Sequence, residues 1–270
     1  MITFEGVTFS HPTGVKALDN VSLEISSGET VAVVGENGAG KTTLVKHVTG
    51  LLKPTEGRVL VDGEDTRSVS TAHLARNVGV AFQNPDHQLF SETVREEVAF
   101  ALRNFGFTEE VASQRIDWGL GLFGLKEYSA SSPLVLSGGE KKRLTLACIL
   151  AWDPSVVILD EPTVGQDAIQ KERLTQTLKM LTSTGKTVVV VSHDIEFLWP
   201  LQPRVVVMKS GKVVGDGPAK RVMLDKSLLD SARVAQPQLV RFYQALSGRP
   251  GEPFVDAFEA RRWVEGGGSQ

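Results

Sequence analysis

Cysteine occurs once, at Cys148, so neither an internal disulfide nor a thiolate metal cluster is open to the chain. Its place in the apolar run 144–150 predicts a buried helical residue. No stretch approaches the roughly 20 apolar residues that cross a bilayer, and the start lacks the pattern of a secretion signal. An intracellular protein is therefore expected. Neither sign of charge dominates: 29 Lys and Arg against 32 Asp and Glu leave a net charge of −3, which argues against a strong nucleic-acid binder. There is no internal repeat, and no Asn-Lys-x-Asp string of the kind that reads guanine.

What is present is an ordinary globular composition, 41% apolar and 23% charged over 270 residues, enough for one large domain and an appendage. Residues 2–9 and 21–25 alternate as half-buried strands, and 30–34, 58–63, 77–82, 156–159, 187–191, 204–208 and 211–214 read as further strands. Helical patterns fill 93–150, with Thr93 and Glu96 spaced as a capping box, and return at 168–182 and beyond Pro218. Alternation of β and α with nearly all-apolar strands predicts an α/β class with a parallel sheet covered on both faces. The helices between Gln83 and Val156 read as an insertion into that core. Pro237, Pro250 and Pro253 punctuate the helical end, and residues 266–270 are expected to form a disordered tail.

Residues 35–42 read GENGAGKT, directly after the apolar run 30–34 and before the helix-compatible 43–48. This is the phosphate-binding pattern G-x-x-x-x-G-K-[ST] in its strand–loop–helix setting. Gly35, Gly38 and Gly40 permit conformations that let successive N–H groups converge on a phosphate at the positive end of the next helix. The nucleotide-binding candidates are Gly35, Glu36, Asn37, Gly38, Ala39, Gly40, Lys41, Thr42 and Thr43. Lys41 would neutralise the β- and γ-phosphates of ATP, and the Thr42 hydroxyl would ligate Mg²⁺.

A second motif, the apolar run 156–159 ending in Asp160 and Glu161, puts two carboxylates at a strand's carboxyl end, where functional groups of such sheets sit. Asp160 is the candidate for holding Mg²⁺ through its water shell, and Glu161 the candidate general base for attack on the γ-phosphorus. The third motif is Leu136-Ser137-Gly138-Gly139-Glu140, opening a helix and followed by Lys141-Lys142-Arg143. Free N–H groups and the helix dipole make such a turn a second anion site. Two γ-phosphate sites in one chain are resolved by a head-to-tail dimer, each ATP lying between the phosphate loop of one subunit and the Ser137 turn of the other. Alternatively, the turn is simply a well-capped helix and its basic triplet a solvated face.

Taken in order, GENGAGKT, Gln83, LSGGE, VVILDEP and Ser192-His193-Asp194 resemble the ATP-binding subunit of ABC transporters over residues 1–217. The resemblance implies a P-loop NTPase core with an N-terminal antiparallel β subdomain, a helical subdomain over about 90–150 and a helical C-terminal extension at 218–265 that supports dimerisation. It implies ATPase activity with ATP and Mg²⁺, catalytic roles for Lys41, Glu161 and His193, and metal or phosphate contacts from Thr42, Gln83 and Asp160. It also implies that Ser137, Gly138, Gly139 and Glu140 contact nucleotide across the dimer and that 162–167 crosses the interface. Residues 80–100, VAFQNPDHQLFSETVREEVAF, resemble the energy-coupling-factor branch, whose ATPases power uptake of vitamins and of cobalt or nickel ions. The implied partners are a second ATP-binding subunit, identical or paralogous, a membrane-embedded coupling subunit meeting 86–90, and a substrate-binding membrane subunit. The implied location is the cytoplasmic face of the cell membrane. Three departures stand out: His11 where the family has an aromatic ring on adenine, Gln166 where it has leucine, and Glu140 for glutamine. Another transporter branch, or a non-transport relative acting on DNA or ribosomes, is the alternative.

Overall fold

The computed structural model describes residues 1–246 and 252–265. In chain order the elements are β1 (Ile2–Ser10), β2 (Lys16–Ile25), β3 (Thr30–Val34), α1 (Lys41–Val48), β4 (Glu56–Val61), β5 (Glu64–Asp65), α2 (Thr71–Leu74), β6 (Val78–Ala81), α3 (Val94–Asn104), α4 (Glu109–Leu122), α5 (Gly138–Ala151), β7 (Val156–Asp160), α6 (Ala168–Ser183), β8 (Thr187–Val191), α7 (Ile195–Leu198), β9 (Arg204–Lys209), β10 (Lys212–Pro218), α8 (Ala219–Leu224), α9 (Lys226–Ser231), α10 (Gln238–Ala245) and α11 (Ala257–Glu265). Pro250 and the expected tail at 266–270 lie outside the described residues.

Two sheets carry the fold. A six-stranded sheet runs β10-β9-β3-β8-β7-β6 and a four-stranded one β2-β1-β4-β5. In the larger sheet every pairing is parallel except β10 against β9, while the smaller is antiparallel throughout. β7 and β8 are buried along their whole length, which is why 156–159 and 187–191 read as unbroken runs of β-branched and aliphatic residues rather than as alternation, with Asp160 closing β7.

Alternation nevertheless survives in three dimensions, because successive side chains of a strand face opposite ways. Ala32, Val34, Val157, Leu159, Val188 and Val190 point into one core, shared with α3, α4, α5 and α6. Val31, Val33, Val156, Ile158, Val189 and Val191 point into the other, shared with α1 and the antiparallel sheet. The strands thereby end together on one edge: Val33 pairs Val191, Asp160 pairs Val191 and Ala81 pairs Leu159, so the loops after β3, β8, β7 and β6 emerge side by side.

The inserted helices are α3, α4 and α5, packed on one another. Both α3 and α5 start with a complete capping box, Thr93 with Glu96 and Ser137 with Glu140. The segment before α3 is anchored by the buried Glu97, whose carboxylate accepts from the N–H groups of Phe90 at 2.8 Å and Ser91 at 2.7 Å. That fixes the fate of two adjacent residues: Leu89 enters the core at 8% exposure, whereas Phe90 stands out at 66%. Cys148 is only half-buried on α5, packed against the core rather than within it, and its thiol is pushed well up by burial. After β10 the chain is helical and folds back, with Trp199 Nε1 donating to the Phe254 carbonyl at 2.8 Å.

Candidate nucleotide site

The loop between β3 and α1 is shaped by two glycines that nothing else could replace. Gly35 has φ 152° and a Cβ there would lie 2.2 Å from the Met208 carbonyl oxygen; at Gly40, φ 101°, it would lie 2.4 Å from that of Ala17. Gly40 also precedes α1 without a side-chain cap, and no acidic residue occupies the first turn, so the helix presents its positive end undiluted. Lys41 is folded back over the loop, its Nζ donating to the carbonyls of Gly35 at 2.8 Å and Glu36 at 2.9 Å. Burial pushes its ammonium below the ordinary lysine range, against the pull of Glu161, Asp160 and Glu36.

At the end of β7, Thr42 Oγ1 donates to Asp160 Oδ2 at 2.9 Å, while Asp160 Oδ1 is buried without a hydrogen-bond partner. Burial raises the Asp160 carboxyl above the usual carboxylate range; Thr42 and Lys41 oppose the shift and Glu161 adds to it. A buried carboxylate oxygen without a partner beside a hydroxyl fits a hard divalent cation that keeps most of its shell as water and phosphate oxygen. No cluster of three or more His, Cys, Asp or Glu that could hold a metal ion occurs among the described residues.

Glu161 sits at φ 51°, a left-handed conformation that non-glycine residues rarely hold and that gathers at functional sites. Its N–H donates to the Val191 carbonyl at 2.8 Å, and its Oε2 lies 2.8 Å from His193 Nδ1 and 3.4 Å from the His193 N–H. The pair is asymmetric: the Glu161 side chain is 8% exposed and that of His193 62%, so the imidazole reaches outward from a carboxylate it shields. Asp194 caps α7 through the Phe197 N–H and pairs with Lys171 of α6 at 2.5 Å. Burial pushes its carboxyl upward, yet the Lys171 and Phe197 bonds win and hold it below the ordinary range.

Lys41, Thr42, Asp160, Glu161 and His193 thus meet at the strand ends, and Gln83 is exposed just beyond β6 on the same edge. The backbone leading to Gln83 is strapped by Gln88, which accepts from the Phe82 N–H and donates to the Val80 carbonyl, each at 2.9 Å. His11 packs edge-on against Phe9 with centroids 5.1 Å apart. Ser137, Gly138, Gly139 and Glu140 belong elsewhere: their hydrogen bonds and ion pairs stay within α5 and its neighbours and none reaches residues 35–43. Glu140 closes the cap, taking the Ser137 N–H at 2.8 Å and hydroxyl at 2.7 Å.

The basic triplet is not a solvated face. Lys141 pairs with Asp86 at 2.7 Å, and Arg143 donates to the Phe123 carbonyl at 3.0 Å. Lys142 points its half-buried ammonium at the turn after β7, donating to the carbonyls of Glu161 and Pro162 at 3.3 Å and to that of Val164. Sequence reasoning gave no role to Gln88 or Lys171 and saw Lys142 only as part of a basic triplet; its place five residues after the Ser137 cap was the available signal.

A family model described as ABC transporter matches residues 18–164. This chain belongs to the ABC transporter ATP-binding family. A putative ABC transporter ATP-binding protein of Pyrococcus furiosus is 43% identical over 93% of this ABC ATPase and 95% of the relative. The energy-coupling factor transporter ATP-binding protein EcfA of Methanothermobacter thermautotrophicus is 40% identical over 88% and 77%. A third relative, from Methanosarcina acetivorans, is longer: this chain is 42% identical to it yet spans 38% of its length. Among solved structures, cbiO1 of Clostridium perfringens, titled as part of the ABC transporter complex cbiONQ, gives a TM-score of 0.75 at 32% identity, covering 90% of this chain and 98% of that one. The dimeric cassette MJ0796, bound to ADP and Pi, gives 0.74 at 32%, covering 81% and 98%. The two-sheet architecture with inserted helices is therefore the ABC ATPase fold, and the protein is an ATPase. Among the described residues no helix is long and apolar enough to cross a membrane.

Proposed function

We propose that the chain is the ATP-hydrolysing subunit of an energy-coupling-factor importer, powering uptake of a vitamin or a transition-metal ion from the cytoplasmic face of the membrane. The observation that carries the chemistry is the Glu161–His193 pair held beside Lys41 and the Thr42–Asp160 bond. The branch rests on likeness to EcfA and to cbiO1. Residues 1–217 form the cassette, with 90–150 as its helical subdomain, and 218–265 the extension that supports dimerisation.

In this reading the N–H groups of residues 35–43 receive the phosphates of ATP, and Lys41 leaves the Gly35 and Glu36 carbonyls for the β- and γ-phosphates. Thr42, Asp160 and Gln83 would hold Mg²⁺, which supplies neutralisation of phosphate charge. Glu161 accepts the proton of the attacking water, and His193, already bonded to it, presents its exposed ring to the γ-phosphate. His11 stacks on adenine. Ser137, Gly138, Gly139 and Glu140 complete the site of a second ATP-binding subunit, identical or paralogous, and 162–167 lies along that interface. Closure is driven because the γ-phosphate gains contacts from both subunits only in the closed state. Phe90, exposed and set edge-on to Phe100 with centroids 4.8 Å apart, belongs to the surface offered to the coupling subunit, which in turn carries the substrate-binding subunit. No nucleic-acid partner is expected.

The test pairs kinetics with affinity capture. Glu161→Gln should lower turnover by about a hundredfold or more while retaining ATP and trapping a dimer; near-normal hydrolysis would remove Glu161 as base. The trapped dimer should recover a coupling-type membrane subunit when co-expressed with its neighbouring genes. Recovery of an unrelated membrane protein would favour another transporter branch, and stimulation by ribosomes a non-transport role.

A further inference from the structure

The C-terminal extension reaches the phosphate loop through an ion pair. Arg233, in the turn after α9, lies with Nη1 3.0 Å from Glu36 Oε2, inside the GENGAGKT segment. The turn is anchored: Leu229 and Ala232 are fully buried, Val234 nearly so, and the N–H groups of Arg233 and Val234 return to the carbonyls of Asp230 at 3.1 Å and Leu229 at 2.9 Å. Arg233 occupies this turn at φ 53°, the left-handed conformation that closes helices and that glycine adopts without steric penalty. An arginine here is conformationally unfavourable, so the fold of the turn does not account for its side chain.

Glu36 does account for it. Its side chain is 25% exposed, its carbonyl accepts from Lys41 Nζ at 2.9 Å, and its charge is felt by that ammonium. A carboxylate within a loop that must receive a polyphosphate repels its own ligand unless a cation balances it. We propose that Arg233 is a positioning residue of the nucleotide site: its guanidinium holds the Glu36 carboxylate and cancels its repulsion of the incoming phosphates, linking the C-terminal extension to nucleotide occupancy. The proposal rests on reading residues 35–42 as the ATP loop.

The test uses the full-length protein, with ATP affinity measured by titration and stability by thermal melting. Arg233→Gly removes the cation and relieves the backbone; the Arg233 side chain is 79% exposed, so ATP affinity should fall about two- to fivefold, the range of a surface pair, while Tm holds or rises. Arg233→Lys should keep most of the affinity, and adding Glu36→Gln to Arg233→Gly should restore it, since no carboxylate is left to balance. Unchanged affinity in Arg233→Gly, a loss that Glu36→Gln fails to repair, or a loss paralleled by a falling Tm would each overturn the proposal. Failure of the wild-type chain to bind ATP would instead overturn the loop reading beneath it.

Discussion

Asp160→Asn should make the nucleotide-free protein more stable and the nucleotide-loaded protein less so. Asp160 is 2% exposed, one oxygen accepts from Thr42 at 2.9 Å, and the other has no partner. A buried polar atom left unsatisfied costs about 1–3 kcal/mol, with charge at the upper end. An amide keeps the Thr42 bond through its oxygen and removes the charge, but its NH₂ inherits the poor surroundings and Lys41 loses an attractive neighbour, so a net gain of about 1 kcal/mol is expected. For a domain of this order that raises Tm by about 2–4 °C. Saturation works in the opposite direction: Mg·ATP at about a hundred times its Kd stabilises the wild type by about 2.7 kcal/mol, and the variant, lacking the carboxylate proposed to hold Mg²⁺, should gain less than about 1.7 kcal/mol. The two melting curves should therefore exchange order between chelator and Mg·ATP in a thermal-shift assay. The effect is pH-dependent. Burial raises the native carboxyl above its unfolded value, so the wild-type penalty is full above the native pKa and absent below the unfolded one. The chelator-state gap should accordingly close as pH falls into the ordinary carboxylate range. A variant that melts lower than wild type without nucleotide, or that shifts equally with Mg·ATP, would refute this account of Asp160.

Other changes separate shape from chemistry. Gly35→Ala drives a Cβ to 2.2 Å from the Met208 carbonyl at φ 152°, so it should lose about 2 kcal/mol or more and melt visibly earlier; an unchanged Tm would mean the loop has another conformation. Lys142→Met keeps the aliphatic stem but abandons the carbonyls of Glu161, Pro162 and Val164, and should lower kcat with little change in ATP affinity. Equal kcat would show that the turn after Glu161 holds itself.

The strands were legible because parallel strands buried on both faces must be continuous apolar runs, as at 187–191, and the phosphate loop because two of its glycines, Gly35 and Gly40, meet steric walls that nothing else clears. Carboxylates following such a strand announce themselves in the same way. What stayed hidden depends on contacts distant in sequence. Lys142 in a basic triplet looks like any solvated lysine until the turn at 161–164 is brought against it, and Arg233 gives no hint of Glu36. Leu89 and Phe90 could not be separated either, since it is the Glu97 carboxylate, taking the Phe90 N–H, that decides which of the two turns inward.

Lys142 follows the Ser137 cap on the same helix, within about 8 Å along the axis at 1.5 Å per residue. No loop intervenes between the capping hydroxyl and the ammonium that grips the backbone of Glu161. The first turns of α5 are in that sense a crank: whatever displaces the Ser137 end by a fraction of an ångström carries Lys142 with it, and the carbonyls behind the Glu161 carboxylate must follow or let go. In the proposed dimer, arrival of a neighbour at one end of the helix would then be converted into a change of aim at the other, with no flexible joint in which the displacement could be lost.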